Sequence, residues 1–291
     1  MNLICTLYDI SEVIKFKQLG IKELIISDKR FATVSNSVIA DEQLMELISL
    51  VHDNDMHLSI RCDAFFYEED IADLSDYLDK LLKFKVDGIY FTDMAVYQIA
   101  KEKNMEKLLV FDGNTTLTNN RDLKVFLKLG LKRCVIAKEL TYEKVLGILD
   151  GEKKKSEMIG FGHLRMSQSR RLMLTGYQEV FLNSSIHGNP NIKAQEESRN
   201  ERFPIFEDEM GTYTYSSYIF WCLNELKVLN DHVDHLRLDR FFISDQLYFE
   251  VIKAYQDVLK GDDPNAIIDR LKKDYPHESF GTGFLYEQTT L

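Results

Sequence analysis

Short apolar runs alternate with longer amphipathic segments along most of the chain. Runs of five or six mostly apolar residues predict eight β-strands, at Asn2–Leu7, Lys22–Ile26, Met56–Arg61, Gly88–Thr92, Lys107–Phe111, Arg133–Ala137, Glu157–Phe161 and Asp234–Leu238. Between them, Asp41–Asn54, Asp70–Phe84 and Ser244–Leu259 repeat apolar residues every three or four positions, which predicts helices with one buried stripe. Eight strands alternating with helices favour a (β/α)8 TIM-barrel-like fold. If the chain had fewer than eight strands, an open sheet would be the alternative to a closed barrel.

One connection is much longer than the others. Residues 162–233 separate the seventh predicted strand from the eighth, whereas βα connections usually span a few residues. The middle of this insertion, residues 183–200, is polar and rich in turn-forming residues, so we expect a mobile excursion over the C-terminal face of the barrel. Residues 260–291 form a C-terminal tail. Because no linker or composition shift divides the chain, we predict a single domain over residues 1–291.

Composition narrows the classes of function. The 291 residues include 36 Lys+Arg and 47 Asp+Glu, a net charge of −11, which argues against a broad nucleic-acid-binding face but allows one local basic patch. Cys5, Cys62, Cys134 and Cys222 are far apart in sequence and form no CxxC pair, which favours buried thiols. The sequence has no signal peptide, no membrane-length apolar run and no phosphate-binding, Rossmann or zincin motif. These observations predict a cytoplasmic protein.

Polar residues follow most of the predicted strands. They are Asp28, Asp63, Asp93, Lys138, Glu139, His163 and Asp239. The carboxyl ends of parallel strands in a barrel meet at the face that carries active sites, so we expect these side chains to converge on one rim. For Asp63 and Asp93, which precede an apparent turn and an apparent helix, capping of backbone N–H groups is an alternative role.

The densest basic cluster comes directly after the seventh predicted strand. It spans Gly162–Arg171 and includes His163, Ser169, Arg170 and Arg171. Arginine side chains bind phosphate or carboxylate through forked donors, so this cluster is a candidate anion site. Its arginines could instead pair with nearby acids in a structural role.

A run of three acids lies further along the insertion. Glu207, Asp208 and Glu209 are adjacent, which is costly unless they are solvated, paired or bound to metal. They could neutralise the arginine cluster. Because their spacing provides no histidine partner, we predict no metal site.

Six stretches resemble typical elements of peptidase family U32, the collagenase-like proteases. In chain order they are Asp28–Phe31, Ala137–Leu140, Gly162–Arg171, Phe203–Thr212, Leu236–Asp239 and Thr282–Phe284. The resemblance spans nearly the whole chain, and its most specific parts are the element that ends at Thr212 and the terminal Thr-Gly-Phe. It is greatest to the short Firmicutes members that occur beside a longer paralogue.

The resemblance implies a barrel-like fold and two kinds of activity. The family is named for peptidases, but its better-understood members hydroxylate RNA or a quinone ring, and some make 5-hydroxyuridine at the tRNA wobble position. In those members four cysteines hold an iron–sulfur cluster. The family places these cysteines around and after its His-Gly…Ser-x-Arg element, where this chain has Met166, Leu172 and Met173. We therefore expect no iron–sulfur cluster and no other cofactor in this chain.

The first hypothesis is a partner subunit without a cluster. It would act with a longer U32 paralogue, and with tRNA through that complex, in the formation of 5-hydroxyuridine. Arginines that would hold a carboxylate or an RNA phosphate are Arg170, Arg171 and Arg237. The remaining substrate-binding candidates are Asp63, Asp93, Lys138, Glu139, Ser169 and Asp239.

Two alternatives belong to other functional classes. A collagenase-like peptidase would use His163, Glu207 and Asp208 as catalytic groups, although no nucleophile is evident in the sequence. A barrel without catalytic activity would bind a small anionic ligand through its arginines. All three hypotheses require the charged groups to share one pocket.

Overall fold

A computed structural model describes residues 1–34, 41–149, 155–182, 185–198 and 200–287. Within these ranges the strands are β1 (Asn2–Thr6), β2 (Glu23–Ser27), β3 (His57–Cys62), β4 (Gly88–Phe91), β5 (Leu109–Asp112), β6 (Arg133–Val135), β7 (Ser156–Ser169), β8 (Lys193–Gln195), β9 (Arg202–Asp208), β10 (Gly211–Trp221), β11 (His235–Leu238) and β12 (Phe280–Gly281). The helices are α1 (Val13–Gln18), α2 (Asp41–Asp53), α3 (Ile71–Phe84), α4 (Met94–Glu102), α5 (Asn120–Lys128), α6 (Tyr142–Leu149), α7 (Met173–Phe181), α8 (Leu226–His232), α9 (Asp245–Lys260) and α10 (Pro264–Asp274).

Eight parallel strands close into a barrel. Strands β1 to β7 follow one another around the ring, and β11 pairs with both β7 and β1 to close it. The predicted (β/α)8 fold is confirmed. The predicted strands match the observed ones to within a few residues, with one exception. The seventh strand was predicted to end at Phe161 but continues to Ser169.

Apolar side chains fill the space between the barrel and the helices around it. Each strand sends alternate residues outward, and helices such as α3 and α9 turn one apolar stripe toward them. Inside the ring lies a smaller apolar layer of Ile4, Ile25, Tyr90, Val110 and Val135. No helix in the described ranges is long and apolar enough to cross a bilayer.

The long insertion builds an antiparallel extension of the barrel sheet. The outer half of β7 pairs with β10, which pairs with β9, and β9 pairs with β8. The extension packs on the loops at the carboxyl ends of the barrel strands through a third apolar cluster that includes Tyr213 and Phe206. The segment 183–200, which was expected to be a mobile excursion, contains the strand β8. Residues 183, 184 and 199 of this segment lie outside the described residues.

Candidate functional site

The carboxyl ends of the barrel strands surround one cavity. Its free volume is about 70 Å³, which leaves room for a few water molecules or a small anion. Its polar and aromatic lining consists of Thr6, Tyr8, Ser27, Thr33, Arg61, Asp112, Asn114, Lys138, His163, Arg165, Tyr215, Arg237, Phe241, Asp239 and Arg240. Five of these are Lys or Arg and two are Asp, but Asp63, Glu157 and Glu12 behind the lining pair with the same arginines, so most of this positive charge is compensated.

Arg237 forms the floor of the cavity and connects it to the barrel interior. Its buried guanidinium donates to Asp112 at 2.8 Å, to Asp239 at 3.1 Å and to Glu157 at 3.3 Å. Glu157 accepts in turn from Arg133 at 2.7 Å, deeper in the barrel. Burial raises the pKa of Asp112, but Arg237 and the neighbouring arginines outweigh it and hold that pKa below its usual range. The Arg237–Asp112 pair of the floor is therefore ionised.

A second set of charges forms one wall. Arg61 donates to Asp239 at 2.5 Å and lies 3.5 Å from Asp63. Asp63 accepts from the backbone N–H and the hydroxyl of Thr33, and Arg165 donates to the same hydroxyl. The second carboxylate oxygen of Asp63 is buried without a hydrogen-bond partner. In this wall, Asp63 and Asp239 position Arg61. One carboxylate oxygen of Asp63 accepts no hydrogen bond.

Lys138 is the least neutralised cation of the cavity. Its ammonium donates to the side-chain oxygen of Asn114, which is a neutral acceptor. Burial lowers the pKa of Lys138 to about 7, with help from Arg165 and Arg237, although Asp112 acts in the opposite direction. An anion in the cavity would favour the protonated ammonium, so Lys138 is the group best suited to respond to a bound anion.

His163 enters the cavity where β7 leaves the barrel. The preceding Gly162 has φ +122°, and a Cβ there would lie 2.7 Å from the carbonyl oxygen of Asp239, so only glycine fits this junction. The Nδ1 atom of His163 lies 2.7 Å from the carbonyl oxygen of Ser216, which can only accept, so Nδ1 carries the proton. Burial lowers the pKa of His163. The ring is therefore neutral at neutral pH.

The structure brings together only part of the predicted site. Lys138, His163, Arg237 and Asp239 line the cavity, and Asp63 lies directly behind its wall. These residues lie on or follow four different strands, β3, β6, β7 and β11, which is the convergence that the strand-end pattern predicted.

Two other strand-end residues lie elsewhere. Asp93 caps α4, accepting from the N–H of Ala95 at 2.9 Å, and also accepts from the N–H of Phe66 at 3.1 Å. Capping, the alternative for Asp93, is what the structure shows. Glu139 lines a neighbouring groove together with Glu201 and Glu287, not the main cavity.

The arginine pair is also separated from His163. Six residues along an extended strand place Ser169 about 20 Å from His163. Arg170 stacks on the ring of Tyr67 at 4.4 Å, 3.4 Å from Asp70, and the side chain of Arg171 is exposed. The expectation that these residues share the pocket of His163 is wrong, because β7 continues straight beyond the barrel instead of turning into a loop over it.

Glu207 holds the start of α7. This buried carboxylate accepts from the backbone N–H groups of Leu174 at 2.6 Å and Thr175 at 2.9 Å, and from the hydroxyl of Thr212 at 2.7 Å. Burial raises the pKa of Glu207, but the hydrogen bonds from Thr175, Thr212 and Leu174 outweigh it and lower that pKa. Glu207 does not line the cavity, so its expected position beside His163 is wrong.

Asp208 belongs to the turn between β9 and β10. It accepts from the N–H of Met210 at 2.9 Å and from the hydroxyl of Tyr213 at 3.2 Å. In the same turn a Cβ on Gly211 would lie 2.0 Å from the carbonyl oxygen of Ser169. The acidic run and the arginine cluster therefore do meet, but through backbone contacts and not through arginine–acid pairs.

The four cysteines do not fit an iron–sulfur cluster. Cys5, Cys62 and Cys134 lie on β1, β3 and β6, and Cys222 follows β10; all four are buried between the barrel and its helices. Strands two positions apart are separated by about 10 Å, too far for thiolates of one cluster. Burial also raises the pKa of Cys134 to about 12. Among the described residues, no group of three or more His, Cys, Asp or Glu is placed to hold a metal ion.

Several cavity residues were not predicted. Asp112 directly follows a predicted strand, so the strand-end pattern could have identified it. Arg61 carried another signal, a charge at an inward position of an otherwise apolar strand. Tyr215 and Arg240 gave no such signal, because the insertion and a loop bring them to the cavity.

Comparisons with known proteins identify the family and the fold. The model of the family described as Peptidase family U32 matches residues 9–290. The tRNA hydroxylation protein P2 of Bacillus subtilis (strain 168) is 24% identical, over 99% of this chain and 98% of that protein. An uncharacterized protease of Methanocaldococcus jannaschii is 28% identical over 47% of this chain and 34% of its own length. The solved U32 peptidase Mk0906 has the same fold, with a TM-score of 0.52 at 11% identity, over 82% of this chain and 92% of that one.

Proposed function

This chain belongs to peptidase family U32, and we propose that within the family it acts in the hydroxylation of tRNA. The observation that carries the proposal is similarity over essentially the full length of both chains to a protein named for tRNA hydroxylation. We further propose that the product is 5-hydroxyuridine at the wobble position, formed in the cytoplasm.

The proposed role is that of a partner subunit. Hydroxylation of a uracil ring is an oxidation, and the thiols of this chain lie on separate strands with raised pKa values, where they cannot act together. We therefore assign the redox step to a longer U32 paralogue that binds this chain, and we propose that this chain carries no iron–sulfur cluster. Its own contribution would be to bind and orient a reactant in the cavity that Lys138 and four arginines line.

A second candidate function is supported by the cavity itself. Lys138, whose hydrogen-bond partner is neutral, makes the cavity suited to a small anionic ligand. Binding without catalysis is therefore the alternative to a role in tRNA hydroxylation. The same cavity could serve both functions if the anion is a reactant of the complex.

Peptidase activity has less support. Of the three groups predicted for it, only His163 lines the cavity, and its Nδ1 atom binds a backbone carbonyl. Glu207 and Asp208 are committed to the β9–β10 hairpin. A direct check is casein cleavage by the parent chain and by His163→Ala; cleavage lost in the variant would restore the peptidase hypothesis.

The partner role is tested by purification from cells. The tagged chain, expressed at its native level, should copurify with a longer U32 paralogue that mass spectrometry identifies. A strain lacking that paralogue should also lose 5-hydroxyuridine from tRNA. If the tagged chain purifies alone and the modification persists without the paralogue, the partner role is wrong.

A further inference from the structure

Lys138 and Arg165 are the two cations of the cavity with the weakest acidic partners. Lys138 donates to the neutral side chain of Asn114. Arg165 donates to the hydroxyl of Thr33, and the acid in its ion pair, Asp63, lies 3.8 Å away. The other three arginines of the cavity each have a carboxylate within 2.8 Å. A negative group next to Lys138 and Arg165 would therefore meet two cations whose charge is only partly compensated.

The charges around Lys138 favour its free amine. Burial lowers the pKa of Lys138 to about 7, and among the neighbouring charges Arg165 acts most strongly in the same direction. Asp112 opposes this shift, but it is itself paired with Arg237 at 2.8 Å. An ordinary lysine has a pKa of 10.5, so at neutral pH Lys138 presents on the order of a thousand times more free amine. A desolvated free amine beside another cation is a nucleophile.

The same charges decide which adduct of the amine the cavity stabilises. A protonated imine with an aldehyde or ketone would keep the positive charge of the lysine beside Arg165 and Arg237. A free anion bound to Lys138 would favour the ammonium and so remove the nucleophile. A carbamate, the adduct of an amine with carbon dioxide, makes the side chain an anion. Positive neighbours therefore favour both the free amine that reacts and the carbamate that forms.

The cavity has room for this product and a route to it. A carbamate adds three heavy atoms to the lysine, and a water molecule needs about 10–15 Å³ of free volume. The free volume of about 70 Å³ is therefore sufficient. Lys138 also lines the neighbouring groove of Glu139, Glu201 and Glu287, so carbon dioxide can reach the amine from that side as well.

We propose that Lys138 is a carbamylation site, at which carbon dioxide adds to the side-chain amine and Arg165 binds the resulting carboxylate. The nitrogen lone pair forms the N–C bond, one C=O π pair moves onto oxygen, and a proton leaves the nitrogen for solvent. Nothing is oxidised or reduced. Carbon dioxide would then compete with anionic ligands of the cavity. The inference does not depend on the proposed reaction, because it concerns the reactivity of one side chain.

Covalent trapping on the purified full chain tests the proposal. The chain is equilibrated with isotopically labelled bicarbonate near neutral pH and treated with triethyloxonium, which converts a carbamate into a stable ethyl ester. Peptide mass spectrometry should find the labelled group on Lys138 of the parent chain. Lys138→Met should lose it, whereas Lys144→Met, at an exposed position of α6, should keep it.

Lys132 is a matched control within the same chain. Burial also lowers its pKa, but it precedes β6, does not line the cavity, and donates to the carbonyl oxygen of Asp87 at 2.7 Å. We therefore expect no label on Lys132. Arg165→Met should lower the labelled fraction of Lys138 several-fold, because the carbamate loses its cation, and Arg165→Lys should retain most of it.

The position of the label is read in the parent chain, so the result stands even if a variant fails to fold. No label on Lys138 at saturating bicarbonate would overturn the proposal. So would equal labelling of Lys132 and Lys138, because a lowered pKa alone, and not the cavity, would then account for the reaction. Undiminished labelling of Lys138 in a folded Arg165→Met chain would contradict the role of Arg165.

Discussion

Arg237 and Asp112 form an ion pair of 2.8 Å inside the barrel, 125 residues apart in sequence. Both side chains are almost fully buried, and Arg237 also contacts Glu157 and Asp239. The pair therefore determines both the stability of the barrel interior and the charge of the cavity floor.

Replacing Arg237 should destabilise the fold strongly. Arg237→Met leaves the buried Asp112 without its ion-pair partner and removes one of the two arginines that bind Glu157 and Asp239, and breaking a buried charge pair in this way costs about 3–5 kcal/mol. Urea unfolding at neutral pH measures the effect, with Arg202→Met at an exposed position of β9 as the control. A loss below about 1 kcal/mol in Arg237→Met would show that the network relaxes without its arginine.

Replacing Glu207 should loosen α7 without affecting the barrel. Glu207→Gln removes the charge at the helix N-terminus and one of its two acceptor oxygens, which should cost about 1–3 kcal/mol locally. Hydrogen exchange should become faster for the amides of α7 and stay unchanged in β1 to β6. Glu209→Gln, an exposed neighbour, is the matched control. Equal protection of α7 in both variants would contradict the capping role.

Lys138 should make stability depend on pH. Its pKa falls from 10.5 in the unfolded chain to about 7 in the folded one, so the unfolded chain binds more protons between these values. Below about pH 7, Lys138→Met should therefore be more stable than the parent by a few kcal/mol, and the difference should vanish as the pH rises toward 10.5. Denaturant unfolding across this range measures it, with the exposed Lys144→Met as the control. A constant difference would mean that the pKa of Lys138 is not lowered.

The purified chain should contain no stoichiometric iron. The thiols lie on β1, β3 and β6 and after β10, so no rotation of side chains brings them around one cluster. Anaerobic purification followed by elemental analysis and visible absorption provides the measurement. About four iron atoms per chain, lost together in Cys62→Ser, would contradict this prediction.

The sequence revealed the barrel more reliably than the site. Alternating apolar runs fix which residues lie inside the ring, so strand ends such as Lys138 and Asp239 could be placed together. Glu207 could not be placed in this way. Its partners Leu174 and Thr175 meet it only because the β9–β10 hairpin folds back on β7, and a local pattern carries no information about that contact.

The proposed function is tested most directly by the nucleosides of tRNA from a strain that lacks this gene. Mass spectrometry should show that 5-hydroxyuridine and its derivatives are lost and that the parent gene restores them. Arg165→Ala, which alters the cavity wall, should fail to restore them, whereas Lys144→Met on the surface should succeed. Unchanged 5-hydroxyuridine in the deletion strain would contradict a role in tRNA hydroxylation.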